Sequence, residues 1–197
     1  APTGKYLPLD SIKAILEGNK GNVVIIDEAY VDFGGESAAS LIGSYPNLLV
    51  IQTLSKSRSL AGLRVGFALG NRDLVEGLDR VKNSFNSYTL DRLALAGAAA
   101  AFEDEKYFFE TKSRIIKTRD RVSQELRGIG FNVLESASNF ILISHNSVEA
   151  STIFQRLRDN GILVRYFKKP RIDNFLRVTI GTDSEMNTFL ETLKRVV

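Results

Sequence analysis

The chain has 197 residues, a formal net charge of +3, no cysteine and a single histidine, His145. Disulfides are therefore excluded, and a histidine-rich metal site cannot be built, so we expect no metal centre. No apolar run approaches the ~20 residues that span a bilayer, and the near balance of 26 basic and 23 acidic residues does not by itself indicate nucleic acid. We expect a cytoplasmic protein that binds neither membrane nor nucleic acid.

Helical and strand patterns alternate in the first half of the chain. Residues 9–18 carry apolar side chains at helical spacing, with Asp10 as the predicted N-cap and Gly18 as the stop. Strands are then predicted at 23–27, 48–54 and 65–70, and helices at 74–81 and 90–102. This alternation predicts an α/β sheet.

A charged helix predicted from about residue 103 to 127 connects this part to a second pattern. After Gly130 the order becomes strand, helix, strand, strand, helix. Strands are predicted at 140–144, 161–165 and 175–180, and capping boxes at 146–149 and 182–185. We therefore expect one domain over residues 1–104, and a connecting helix with a small α+β domain over 105–197.

A group of donors follows the strand at 48–54. An amine is a nucleophile only when it is unprotonated, and nearby cations such as Arg58 disfavour the protonated form, so Lys56 can form a Schiff base. Thr53, Ser55 and Arg64 offer hydrogen-bond donors for a phosphate, with Arg58 as a weaker second cation. A cofactor that joins an aldehyde to a phosphate uses both features, and pyridoxal phosphate is such a cofactor.

A second motif lies at the end of the strand at 23–27. In open α/β sheets, ligands bind beyond the carboxyl ends of the strands, where Asp27 and Lys56 would both lie. The Asp27 carboxylate can keep a pyridine nitrogen protonated, and the phenol of Tyr30 can donate to a ring oxygen. Taken alone, each residue is more often structural, Asp27 as a helix cap and Tyr30 in the core.

Three segments, 22–30, 53–66 and 174–182, resemble the fold-type I aminotransferases of class I/II, and within them the histidinol-phosphate aminotransferase branch. The resemblance implies the C-terminal part of the large cofactor-binding domain, a mostly parallel sheet with helices, followed by a small α+β domain. It implies that Lys56 anchors pyridoxal 5'-phosphate, that Asp27 partners the pyridine nitrogen and that Tyr30 partners the phenolic oxygen.

The same resemblance assigns the phosphate and substrate contacts. It places Thr53, Ser55 and Arg64 at the cofactor phosphate. It implies that Arg177 clamps a substrate carboxylate and that Arg165 reaches the phosphate end of the amino donor. An unpaired guanidinium inside an apolar strand is costly, so Arg177 should face an anion, although an ion pair with a structural carboxylate is the alternative.

Asn139, which precedes the strand at 140–144, is a further candidate. It could position Arg177 or the substrate carboxylate, and a role as a turn residue is an open alternative.

The resemblance implies a homodimeric transaminase that takes the amino group of histidinol phosphate and gives it to 2-oxoglutarate. Residues 1–4, Ala-Pro-Thr-Gly, resemble the end of a longer family segment, so we expect part of the family's site to lie upstream. Two alternatives stay open: a phosphothreonine decarboxylase of the same fold, and an aminotransferase-like domain of a transcription regulator.

Overall fold

Two β-sheets lie in two units of the computed structural model, which describes residues 1–197. One unit, Leu7–Thr111, contains Lys56, and we call it the lysine unit. The other consists of Ala1–Tyr6 with Lys112–Val197 and contains both predicted substrate arginines, and we call it the arginine unit.

The lysine unit contains a three-stranded sheet in the order β1-β2-β3. Its elements are α1 (Leu9–Gly18), β1 (Val24–Asp27), β2 (Leu48–Thr53), β3 (Gly66–Gly70), α2 (Arg72–Phe85) and α3 (Arg92–Glu103). β1 and β2 run parallel, with Asp27 opposite Ile51, whereas β2 and β3 run antiparallel, with Thr53 opposite Gly66. The predicted α/β class is confirmed, and within these three strands the sheet is mixed.

The central strand, β2, also supplies much of the core of the lysine unit. Leu48 and Val50 are fully buried and pack with apolar side chains of α1. Complete burial of one such side chain contributes about 1.5–3 kcal/mol. Beyond the end of β2, Leu54 packs with Val65 in a second cluster. Buried side chains therefore anchor both ends of the loop that carries Lys56.

The arginine unit contains a four-stranded antiparallel sheet in the order β4-β5-β7-β6. Its elements are α4 (Glu105–Gly128), which begins in the lysine unit, β4 (Phe131–Val133), β5 (Phe140–His145), α5 (Ala150–Asp159), β6 (Arg165–Tyr166), β7 (Leu176–Thr179) and α6 (Asp183–Val196). Ile141 and Ile143 of β5 are fully buried in its core. The domain boundary expected between residues 104 and 105 remains a prediction.

One helix start and one strand differ from the sequence prediction. α1 begins directly after Pro8, so Asp10 lies in the first turn and pairs with Lys13 at 3.0 Å rather than capping the helix. Of the strand predicted at 161–165, only its last residue joins a ladder, in β6. Apolar sequence favours a strand, but a strand also needs a partner for its backbone.

One of the two predicted capping boxes is confirmed. Thr182 and Glu185 satisfy each other's backbone N–H groups at the start of α6. The box at 146–149 is wrong, because the N-cap of α5, Glu149, makes no capping hydrogen bond through its side chain. Asn174, far away in sequence, accepts the Ala150 N–H through Oδ1 at 2.8 Å instead.

The single histidine closes a turn. His145 packs on Phe131 with ring centroids 4.8 Å apart, and its Nδ1 accepts the N–H groups of Ser147 and Val148 at 3.2 Å. No group of three or more histidine and acidic side chains is placed to hold a metal ion. None of the helices combines the length and the apolar character needed to cross a membrane.

Candidate active site

Lys56 lies just beyond the carboxyl end of β2, in a loop that is closed at its base by backbone hydrogen bonds. Leu54 donates its N–H to Val65 at 3.1 Å and accepts the N–H of Leu60 at 3.0 Å. Within the loop, Ser59 donates its N–H to the Lys56 carbonyl at 3.2 Å. Leu54 and Val65 also belong to a buried cluster. Backbone hydrogen bonds and side-chain packing together therefore hold the loop on both sides of Lys56.

The structure brings Asp27, Tyr30 and Lys56 to one end of the sheet. Because β1 and β2 are parallel neighbours, their carboxyl ends lie side by side. The Nζ atom of Lys56 is 5.7 Å from the centroid of the Tyr30 ring, within the range of a cation–π contact. Asp27 is the last residue of β1, and its exposed carboxylate accepts the Ala29 N–H at 3.0 Å.

The predicted phosphate donors lie around the same loop. Thr53 Oγ1 is 3.0 Å from Ser55 Oγ and accepts the Ser55 N–H at 3.1 Å. Arg64 adopts the left-handed backbone conformation, with φ 57°, and donates through Nη1 to the Ala61 carbonyl at 2.9 Å. Its side chain is exposed and forms no ion pair with a carboxylate of the chain. This set combines hydroxyls with a guanidinium that has no carboxylate partner, which suits an anion.

Arg58 makes contacts with α3 and α4, and its role as a second phosphate contact remains a prediction. Its guanidinium carbon lies 3.7 Å from the centroid of the Phe108 ring and 4.9 Å from that of Phe102. Its Nη1 donates to the Ala101 carbonyl at 2.5 Å, near the end of α3. Arg58 therefore anchors the loop to the region between α3 and α4.

The contacts of two further polar residues near the site, Glu28 and Ser57, were missed by sequence reasoning. Glu28 is 7% exposed and accepts hydrogen bonds from Ser37 Oγ and Ala38 N at 2.6 Å and from Gln52 Nε2 at 2.8 Å. A carboxylate directly after an apolar strand was the available signal. Ser57 is 6% exposed and donates a hydrogen bond to Asp32 Oδ2 at 2.5 Å. No local sequence pattern predicts this pairing.

Two guanidinium groups without a carboxylate partner lie on neighbouring strands of the arginine unit, those of Arg165 and Arg177. Arg165 in β6 is directly opposite Arg177 in β7, and neither forms an ion pair. The Nε atom of Arg177 is buried and has no hydrogen-bond partner. The structural ion pair considered for Arg177 is thus not formed.

Two aromatic rings lie close to this arginine pair. The guanidinium carbons of Arg165 and Arg177 lie 5.6 Å and 5.8 Å from the centroid of the Phe167 ring. The guanidinium carbon of Arg177 also lies 5.1 Å from the centroid of the Phe140 ring.

Asn139 precedes β5, and its carbonyl accepts the Ile180 N–H at 2.9 Å. The role of the Asn139 side chain remains a prediction.

The chain belongs to the aminotransferase class I and II family, whose sequence model matches residues 1–193. Over all 197 residues it is 64% identical to a histidinol-phosphate aminotransferase of Clostridium acetobutylicum, of which it covers 56%. The chain thus spans about half the length of the curated relatives it matches.

Solved structures agree with this assignment. The crystal structure of histidinol-phosphate aminotransferase from Sinorhizobium meliloti, in complex with pyridoxal-5'-phosphate, matches 99% of this chain and 54% of its own, with a TM-score of 0.88 and 26% identity. A decarboxylase from Sulfurospirillum multivorans matches 99% of this chain and 58% of its own, with a TM-score of 0.85 and 27% identity. The fold is therefore that of a family in which the same architecture occurs with more than one chemistry.

Proposed function

We propose that this chain contributes the lysine-bearing part of a pyridoxal-phosphate-dependent aminotransferase that transfers the amino group of histidinol phosphate to 2-oxoglutarate. The observation that carries the proposal is the convergence of Lys56, Tyr30 and Asp27 at the carboxyl ends of β1 and β2. The names of the similar proteins support the choice of reaction and substrate.

The residues around Lys56 fit the proposed cofactor in their chemistry. Lys56 offers a primary amine for an aldehyde, Asp27 a carboxylate for a pyridine nitrogen and Tyr30 a phenol for a ring oxygen. The donors for its phosphate are Thr53, Ser55 and Arg64. When bound, pyridoxal phosphate supplies an electron-withdrawing ring that stabilises negative charge at the substrate α-carbon.

Each of the chain's own groups then has a defined task. The Nζ atom of Lys56 takes the proton from the substrate α-carbon as a general base. The Asp27 carboxylate holds a proton on the pyridine nitrogen, and its exposed position at the end of β1 leaves it open to a ligand. Tyr30 lies beside Lys56 and donates from its phenol to the ring oxygen.

The arginine unit supports an anionic substrate. Histidinol phosphate carries a phosphate and 2-oxoglutarate carries two carboxylates, so both partners of the reaction need cationic recognition. Arg177 has a buried donor without an acceptor, and Arg165 is its cross-strand neighbour. A bound phosphate or carboxylate would satisfy the donor and neutralise the pair. Asn139 is proposed as a helper in positioning the substrate.

A homodimer in the cytoplasm is part of the same proposal. Phe85 and Tyr88 are 93% and 92% exposed in the lysine unit, and rings this exposed favour burial against further protein. The oligomeric state of the protein in its full natural length, measured by light scattering, tests this point.

The activity is tested by assaying glutamate formation from 2-oxoglutarate and histidinol phosphate with the protein in its full natural length. Lys56→Ala should lower turnover by at least ~10²-fold, the usual contribution of a general base. Lys106→Ala, which removes an exposed lysine that forms no ion pair, is the matched control and should be silent. Normal turnover in Lys56→Ala would refute the assignment.

A decarboxylase is the second candidate, because a decarboxylase from Sulfurospirillum multivorans has the same fold at 27% identity. The two reactions differ in their products. Release of carbon dioxide from phosphothreonine without glutamate formation would identify the decarboxylase, whereas glutamate formation without carbon dioxide supports the transaminase.

A further inference from the structure

The residue next to Lys56 links its loop to the turn that carries Tyr30. Ser57 is 6% exposed and donates a hydrogen bond to Asp32 Oδ2 at 2.5 Å. Asp32 is two residues after Tyr30, in a short 3₁₀ turn, Val31–Phe33. Phe33, the last residue of that turn, is fully buried, so Asp32 is attached to a fixed part of the core.

The residue on the other side of Ser57 is also held. Arg58 donates to the Ala101 carbonyl and lies over the rings of Phe102 and Phe108. Two successive residues after Lys56 therefore have side chains committed to separate parts of the lysine unit. Rotation of the backbone at Ser57 or Arg58 would break the Ser57–Asp32 contact, the Arg58–Ala101 contact or both. These two contacts therefore fix the direction in which the Lys56 side chain projects from the loop.

We propose that Asp32 is a positioning residue whose hydrogen bond to Ser57 sets the placement of the Lys56 amine beside Tyr30. The inference rests on the proposed function, because the placement of Lys56 beside Tyr30 matters only if Lys56 binds the cofactor. A hydrogen bond to a carboxylate is stronger than one between neutral groups, and this one is largely shielded by the burial of Ser57. Asp32 itself touches neither substrate nor cofactor in this account.

The position of Lys56 is measured first without any cofactor. In the protein in its full natural length, the rate at which a small amine-selective acylating reagent labels Lys56 is followed by mass spectrometry. Loss of the Ser57 contact lets the amine leave its half-buried position, so Ser57→Ala and Asp32→Ala should each label about fivefold faster, the factor expected for one hydrogen bond. The double variant should show no further increase, because both changes remove the same bond.

A spectroscopic readout then separates positioning from general structural damage. The pH titration of the absorbance of added, lysine-bound pyridoxal phosphate should shift its midpoint in the same direction in Ser57→Ala and Asp32→Ala. Asp32→Asn keeps an oxygen that can accept from Ser57 and should restore most of the wild-type behaviour. Ser59→Ala is the matched control, because this exposed hydroxyl in the same loop makes no hydrogen bond.

The outcomes are distinct for the two proposals. Labelling rates of Ser57→Ala and Asp32→Ala equal to that of Ser59→Ala, or rate increases that add in the double variant, would overturn the positioning role. A wild-type protein that binds no pyridoxal phosphate at Lys56 would overturn the proposed function, and the cofactor-free labelling would still decide whether Asp32 places the amine. Equal melting temperatures of the variants confirm that the rates report position and not unfolding.

Discussion

Arg165 and Arg177 are directly opposite each other on β6 and β7, and neither forms an ion pair with a carboxylate. Like charges in such a cross-strand pair repel each other, and the buried Nε atom of Arg177 has no acceptor. The folded chain therefore carries an unfavourable arrangement that a bound anion would relieve. Such arrangements are typical of binding sites, where local stability is sacrificed for a ligand.

The substitution Arg177→Met should separate binding from stability. Without the ligand, removal of an unsatisfied buried donor and of one repelling charge should leave the unfolding midpoint unchanged or raise it. With substrate, loss of a charged hydrogen bond of about 1.5–3 kcal/mol should raise KM by roughly 10- to 100-fold. Arg158→Met removes an exposed arginine of α5 and controls for net charge. A clear loss of stability in Arg177→Met would indicate a structural role instead.

Arg58 and Arg64 should respond in opposite ways to replacement by lysine. Lysine cannot reproduce the stacking of the Arg58 guanidinium on Phe102 and Phe108, so Arg58→Lys should lower the free energy of unfolding by about 1 kcal/mol. Arg64→Lys should leave stability unchanged and weaken pyridoxal phosphate binding by roughly tenfold. Denaturant unfolding and cofactor titration measure the two effects. Weaker cofactor binding in Arg58→Lys without any loss of stability would support a role for Arg58 as a phosphate ligand instead.

Glu28 should be sensitive to the loss of its charge alone. Its two oxygens accept from Ser37, Ala38 and Gln52, and the amide of a Glu28→Gln variant would turn one acceptor into a donor. The expected loss is about 1–3 kcal/mol, the usual result of leaving a buried partner unsatisfied. Urea unfolding measures it against Glu103→Gln, a change at the exposed end of α3. Equal stability of the two variants would contradict the contact network.

The start of α6 should make the arginine unit sensitive to acid. Hydrogen bonds from Arg121 and Thr118 hold the pKa of Asp183 below its ordinary value of 3.8. A lowered pKa means that the carboxylate stabilises the fold above that ordinary value and that this stabilisation is lost as the pH falls through the lower, folded-state pKa.

Asp183→Asn should therefore be less stable than the wild type at pH 7, and the difference should shrink as the pH falls below 3.8. Chemical unfolding at a series of pH values measures the difference. Asp173→Asn, at an exposed acid without an ion pair or hydrogen bond, should show no such trend. A constant difference between wild type and Asp183→Asn at all pH values would exclude the linkage.

Local patterns were sufficient to predict the strand ends where Asp27 and Lys56 lie. The apolar runs of β1 and β2 end at polar residues, and parallel pairing then places those ends together. The direction of Arg58 could not be predicted, because it depends on Phe102 and Phe108, which are more than 40 residues away. Other contacts between side chains distant in sequence could not be predicted either, for the same reason.

The N-terminus of α5 and the Ser57–Asp32 hydrogen bond illustrate this limit. At 146–149 the sequence has the form of a capping box, yet Asn174 supplies the acceptor from another loop. Ser57 is a small polar residue in a polar loop, where a surface position is expected, yet the fold buries it against Asp32. Periodicity and caps report short-range order, whereas these contacts depend on which loops the sheet brings together.

The central claim is that Lys56 is the anchor of pyridoxal phosphate. The protein in its full natural length is incubated with pyridoxal phosphate, treated with borohydride, which fixes a lysine-bound pyridoxal group covalently, and digested for peptide mapping. We expect the label on Lys56 and its loss in Lys56→Ala. A protein that remains unlabelled, or one labelled only at another lysine, would contradict the account.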